Sequence, residues 1–280
     1  MATTSQPVVV GVDGSRSSVK AANWAVAEAG RLGAELRLVL VNDDPARDQY
    51  AEDAVRKIAV KCRAHEPGID VTGEVTRGHP VEELLRRSAT AQLVVVGARG
   101  HGGFEDALLG GVSLNVATHA SCPVAAVRAD TPNAMGPVVV GVDNSPPSKQ
   151  ALRYAFEAAD RLGAKLLVIR AWHEDGLLGI PLSPSERDRV QRDVEKALTD
   201  QTIELRAAHP EVRTRDVAQR GHPTASLTNA ARDARLLVVG HRGGGGFDGL
   251  LLGSVASGVL HHAPCTVVVV RHGANTGGAP

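Results

Sequence analysis

The sequence predicts an α/β protein built as two tandem open parallel sheets, each flanked by helices. Three observations carry this. The chain has 280 residues, about twice a single domain of roughly 150. A motif near its start is written again: VVVGVD at 8–13 returns at 138–143, and RLGA at 31–34 returns at 161–164. Between the repeats, short apolar runs alternate with alanine-rich amphipathic stretches, the pattern of a parallel sheet with crossover helices.

In the first half the apolar runs lie at about 7–12, 36–41, 69–75, 92–96 and 123–127. Near-continuous runs such as VVVGV and LVVV suit strands buried on both faces. The intervening stretches at about 16–31, 46–65, 80–91 and 112–119 read as helices. Ser15 is placed as the N-cap of the first helix, and its counterpart Ser145 precedes Pro146 at a first helical position, where the missing N–H costs nothing. Later matches, GHP at 78–80 with 221–223 and Cys122 with Cys265, sit 143 residues apart rather than 130. The second half therefore carries 13 extra residues between about 171 and 185. A Pro/Gly/Asn-bearing linker at about 129–136 divides domains at 1–130 and 136–272, and 273–280 reads as a flexible tail.

Composition narrows the function. Lys plus Arg and Asp plus Glu are both 31, a poor electrostatic match to a nucleic-acid backbone, and three Phe, two Trp and two Tyr are too few for base-stacking platforms. No run approaches the roughly 20 apolar residues of a membrane span. Three scattered cysteines exclude a disulfide framework, and MATTSQPVVV lacks the layout of a signal peptide, so the cytoplasm is the expected compartment.

In open parallel sheets ligands bind beyond the carboxyl ends of the strands, where the strand order reverses. After the fourth strand of each half stands a glycine-rich stretch with matched spacing: Gly97, Gly100 and Gly110 in the first, Gly240, Gly243 and Gly253 in the second. The last glycine of each opens a helix. Glycine admits close approach of a ligand, and a helix N-terminus offers free N–H donors and a positive dipole end, so the pair makes an anion cradle, most naturally for phosphate. A GxxxxGK[ST] loop is absent, and the GxGxxG at 244–249 has no counterpart in the first half.

Asp13 and Asp143 end the first strand of each half. With Ser15 and Ser145 as caps, both carboxylates are expected to stand free at the crevice mouth, facing a nucleoside. Arg99 and Arg242 lie in the glycine loops, as phosphate donors or as solvated surface residues. His79 and His222 are assigned a structural place before proline-started helices, His119, His261 and His262 complement helix ends, and the matched Trp24 and Tyr154 are assigned to the core. The sequence contains no His/Cys/carboxylate cluster with metal-ligand spacing and no recurrent nucleophile, so the expectation is a binding protein rather than an enzyme. The apolar fifth strands at 124–127 and 266–270 would be open edges, which suggests that the halves pair and that chains dimerise. The extra segment, 172–182, reads as an apolar surface loop that serves as a lid, a contact or a packed element.

The strings VGVDGS and VGVDNS, with the glycine spacing G-x2-G-x9-G and a following small residue, resemble the universal stress protein family in its tandem, ATP-binding form. The resemblance implies an adenine nucleotide alpha hydrolase-like sheet, one ATP with Mg²⁺ per domain, a homodimer, regulation in stress or dormancy through a possible protein partner, and at most weak hydrolysis. A slow ATPase or nucleotidyl transferase and a cyclic-nucleotide binder are the alternatives. Transferred by position, Gly11, Val12 and Asp13, with Gly141, Val142 and Asp143, would border the adenosine. Val41 and Ala171 would meet adenine through their backbone, and Gly97 and Gly240 would lie by the ribose. The phosphates would fall to Arg99, Gly100, Gly110, Gly111, Val112 and Ser113, and to Arg242, Gly243, Gly253, Ser254, Val255 and Ala256. Gly111 departs from the pattern, since a hydroxyl residue is usual there; Ser113 is the substitute the sequence offers.

Overall fold

The computed structural model describes residues 5–98, 109–128, 133–172, 182–244 and 251–271. The chain divides into two compact units, one within residues 1–130 and one within 131–272. The tail at 273–280 and most of the extra segment, 173–181, lie outside the described residues.

The first unit runs β1 (Val8–Gly11), α1 (Arg16–Leu32), β2 (Leu36–Val41), a 3-10 turn (Pro45–Arg47), α2 (Asp48–His65), β3 (Val71–Thr76), α3 (Pro80–Ser88), β4 (Leu93–Gly97), α4 (Gly111–His119) and β5 (Val124–Val127). Its strands lie in the order β3-β2-β1-β4-β5, all parallel. The second unit repeats this with β6 (Val138–Gly141), α5 (Pro146–Arg161), β7 (Leu166–Trp172), α6 (Pro184–Ala208), β8 (Thr214–Arg220), α7 (Pro223–Ala230), β9 (Leu236–Gly240), α8 (Ser254–His262) and β10 (Thr266–Val270), in the order β8-β7-β6-β9-β10. Every strand and helix predicted in the first half is present within a few residues.

The core follows the apolar runs. Val8, Val9 and Val10, Leu36 and Leu38, and Val94 and Val95 are buried in the first unit, as are Val138, Val139 and Val140 with Leu237 and Val238 in the second. Alanines of α1 and α5 (Ala21, Ala22, Ala25, Ala151, Ala155) are fully buried, which lets these helices sit close to the sheet. The RLGA repeat is a helix stop: Gly33 and Gly163 adopt φ of +60° and +56°. Beyond them Ala34 and Ala164 donate back to Ala29 and Ala159, a Schellman closure. Cys122 and Cys265 are buried beside the fifth strands, and burial pushes the Cys122 thiol up to about 12.

The helix after the extra segment is longer than its counterpart: at the offset of 143 Asp48 corresponds to Gln191, yet α6 begins at Pro184, two helical turns earlier, with a Ser183–Glu186 capping box to start it. Tyr154 is buried as expected, whereas Trp24 is only half-buried. Among the described residues no helix is long and apolar enough to cross a membrane, and no cluster of three His, Cys, Asp or Glu could hold a metal.

Candidate functional site

In each unit the chain leaves the central strand to one side and returns on the other, so the crevice lies above β1 and β4, and above β6 and β9. One residue past β4, Ala98 donates to Val127 (2.9 Å) and accepts from the N–H of Gly110 (2.8 Å). In the second unit His241 donates to Val270 (2.8 Å) and accepts from Gly253 (2.8 Å). The two ends of each glycine stretch are thus tied at a neck, which sets the start of α4 or α8 directly beyond the strand end.

Gly110 and Gly253 are the N-caps of these helices, in extended conformation and with no side-chain cap. The first-turn N–H groups at Gly111, Val112 and Ser113, and at Ser254, Val255 and Ala256, are therefore left for another acceptor, and the helix dipole favours an anion there. Ser254 is exposed. Ser113 is buried and its hydroxyl donates to Gly97 O at 2.6 Å, so the hydroxyl the sequence offered as a substitute for the one missing at Gly111 is engaged in holding α4 to β4.

The carboxylates are not free, which corrects the sequence reading. Ser15 N donates to Asp13 Oδ1 (2.9 Å), while Ser15 Oγ caps α1 by accepting from Ser18 N (3.1 Å). Ser145 repeats the cap with Ser148 N (3.3 Å), and its N–H (2.8 Å) and hydroxyl (2.5 Å) both donate to Asp143 Oδ1. Asp and Ser share the turn, because a side-chain oxygen two residues before a helix start is well placed to take a backbone N–H. Asp143 Oδ2 further accepts from Gly244 N at 2.9 Å, and a Cβ at Gly243 would lie 2.5 Å from that oxygen. The second carboxylate thus clasps its own glycine loop.

Other predicted residues find mainly packing reasons. A Cβ at Gly11 or Gly141 would fall 2.9 or 2.6 Å from Leu84 or Leu227, so these glycines admit α3 and α7. Gly97 and Gly240 admit the first turns of α1 and α5, where a Cβ would meet Ser17 Oγ at 2.6 Å or the Pro147 carbonyl carbon at 2.8 Å. Val12 and Val142 extend the ladder by donating to Val39 and Ile169 (2.9 Å each), and Val41 and Ala171 overhang two residues further on, beyond the turn of the central strand. Arg99 and Gly100 lie outside the described residues. His79 and His222 precede Pro80 and Pro223 at helix starts, as expected.

Three features escaped the sequence reading. Arg271 follows β10, and burial together with the charge of Arg242 holds it below its ordinary pKa; Arg242 itself stands by the start of α8, its Cα 3.3 Å from where a Gly253 Cβ would lie, and its Nε is buried and unbonded. A Val-Arg step after both fifth strands was the available signal. Gln201 of α6 donates to Asp143 O (3.1 Å) and to Asn144 Oδ1 (2.6 Å), which also accepts from Arg170 (3.1 Å). In the first unit Tyr50, 67% exposed, extends its hydroxyl to 3.8 Å from where a Gly14 Cβ would stand.

An open parallel α/β sheet with a glycine-capped helix start at its switch point defines a class: open α/β proteins that present a bare helix N-terminus above the sheet. Within that class the chain belongs to the universal stress protein family, whose model matches residues 4–128 and again 135–271. It is 35% identical over 286 residues to the universal stress protein Rv2005c of Mycobacterium tuberculosis, covering 94% of this chain and 96% of that one. It is 32% identical over 303 residues to Rv1996 of the same organism, covering 96% of both. Among solved structures, a universal stress protein from Archaeoglobus fulgidus superposes with a TM-score of 0.71 at 21% identity, over 96% of this chain and 99% of that one, a likeness of fold.

Proposed function

We propose that the protein is a nucleotide-dependent regulator of stress response or dormancy, that each unit takes one ATP with Mg²⁺, and that chains associate as homodimers. The observation that carries this reading is the neck: in both units it presents an uncapped helix start beyond the strand end, a ready anion site. No lysine-bearing phosphate loop accompanies it, so a divalent cation would balance the triphosphate charge. Val41 and Ala171 overhang where a base would lie, and Arg242, beside Gly253, adds positive charge to the second cradle. Regulation rather than rapid turnover follows from the absence of a recurrent base or nucleophile in the sequence.

Mass spectrometry of the ligand released from purified, denatured protein tests the reading and separates ATP from a cyclic nucleotide. Titration calorimetry with ATP and Mg²⁺ is expected to give up to two binding events per chain; no heat of binding at millimolar nucleotide would overturn it. Phosphate release is expected far below the ~10 per second median of enzymes.

A further inference from the structure

We propose that Tyr50 is the roof of the first crevice and stacks on the planar base of a bound nucleoside, a base contact for which the matching position of the second unit, Asp193, offers no ring. The proposal rests on the nucleotide-binding reading above and assigns a residue to it that no motif marks.

The start of α2 is fixed where it stands. Asn42, one residue past β2, donates from Nδ2 to Asp48 Oδ1 (2.8 Å), and Arg77 bridges Asn42 O (2.9 Å) and Asp48 Oδ2 (2.5 Å). Two residues into that helix Tyr50 leaves it and crosses to the Asp13–Gly14–Ser15 turn at the end of β1. Gly14 has φ of +83°, a conformation that disfavours side chains, and its bareness leaves the approach to the turn open to the ring. The side chain therefore reaches from the start of α2, which follows β2, to the turn that ends β1 at the edge of the crevice, with two thirds of its surface in water. An aromatic face held open over a crevice recovers its exposed apolar area when a flat ring enters beneath it. With seven aromatics in 280 residues, placement of one at this mouth is not the general habit of the surface.

The second unit is built otherwise. At the offset of 143 Tyr50 corresponds to Asp193, an exposed residue 4.0 Å from Arg189 on α6. Gly14 corresponds to Asn144, whose amide oxygen is taken by Arg170 and Gln201.

The test uses the full chain with Gly253→Lys, so that the first unit alone is open, and calorimetry with adenosine, ATP·Mg²⁺ and tripolyphosphate. Tyr50→Ala is expected to weaken adenosine and ATP by about five- to a hundredfold, the range of one base–aromatic stack, and to leave tripolyphosphate unchanged. Tyr50→Phe is expected to bind like the parent. Thermal unfolding without ligand should be the same for all three, since the ring is exposed. Unchanged adenosine affinity in Tyr50→Ala overturns the proposal, as does an equal loss in Tyr50→Phe, which would assign the effect to the hydroxyl. A parent that binds none of the three probes instead overturns the nucleotide reading of this unit, and the roof with it.

Discussion

The two units share a scaffold and differ at the crevice. In the first, the small residues Gly14 and Gly111 stand where the second has Asn144 and Ser254, and Ser113 stands where the second has Ala256. The first unit accordingly leaves its turn bare beneath Tyr50 and uses its one hydroxyl in the α4 start to tie the helix to Gly97 O. The second fills its turn with the Asn144–Arg170–Gln201 network, clasps Gly244 with Asp143 and exposes the Ser254 hydroxyl at the helix start. A duplicated fold keeps what the backbone demands, the neck and the caps, and is free to vary what a ligand would meet.

The largest expected effect silences one unit at a time. Gly110→Lys or Gly253→Lys puts a long side chain at the helix N-cap, where a Cβ at Gly253 already lies 3.3 Å from Arg242 Cα. Each variant should lose one of the two calorimetric binding events, by about a hundredfold in affinity or more; retention of both events would place the ligand elsewhere. With the units separated this way, the second should bind ATP more tightly, because Ser254 can add a hydroxyl hydrogen bond to a charged oxygen. Such a bond contributes about 1.5–3 kcal/mol, roughly ten- to a hundredfold. The sharper form is the exchange: a Cβ at Gly111 meets nothing within 4 Å, so Gly111→Ser should raise first-unit affinity by about tenfold, and Ser254→Gly should lower that of the second. Equal affinities before and after would show that the hydroxyl is irrelevant.

Smaller effects probe the ties. Asp143→Ala removes the acceptor for Gly244 N–H and for both Ser145 donors, at a cost of about 1.5–3 kcal/mol. Its readout is faster amide hydrogen exchange at Gly244; protection equal to the parent's would mean the clasp does not persist in solution. Ser113→Ala leaves the buried Gly97 carbonyl without its side-chain donor and should destabilise the first unit by about 1 to 3 kcal/mol in denaturant unfolding. The reverse change, Ala256→Ser, tests whether the second unit accepts the same tie to Gly240.

The strands and the glycine-opened helix starts beyond them were legible because each rests on local chemistry. Runs such as VVVGV have one comfortable place in a two-sided sheet, and Gly110 and Gly253 recur at one spacing and open helices. The contacts across the crevice were not legible. Asp143 and Gly244 are 101 residues apart, and Gln201 and Asp143 are 58 apart, distances over which periodicity carries no information. The carboxylates were misread for a related reason: a serine that caps a helix does not exempt the neighbouring aspartate from the same turn.

The neck bonds have one further consequence. Because Ala98 and His241 clamp the N–H of Gly110 and Gly253 at the same 2.8 Å, each intervening segment enters and leaves its unit through the same gate. Residues 99–109 and 242–252 are equal in length. Grafting either between the other's gateposts is expected to leave both sheets intact and to cost the second unit its Asp143–Gly244 clasp. Duplication followed by drift inside the gate would give such a chain a route to two different binding properties without renegotiating its core.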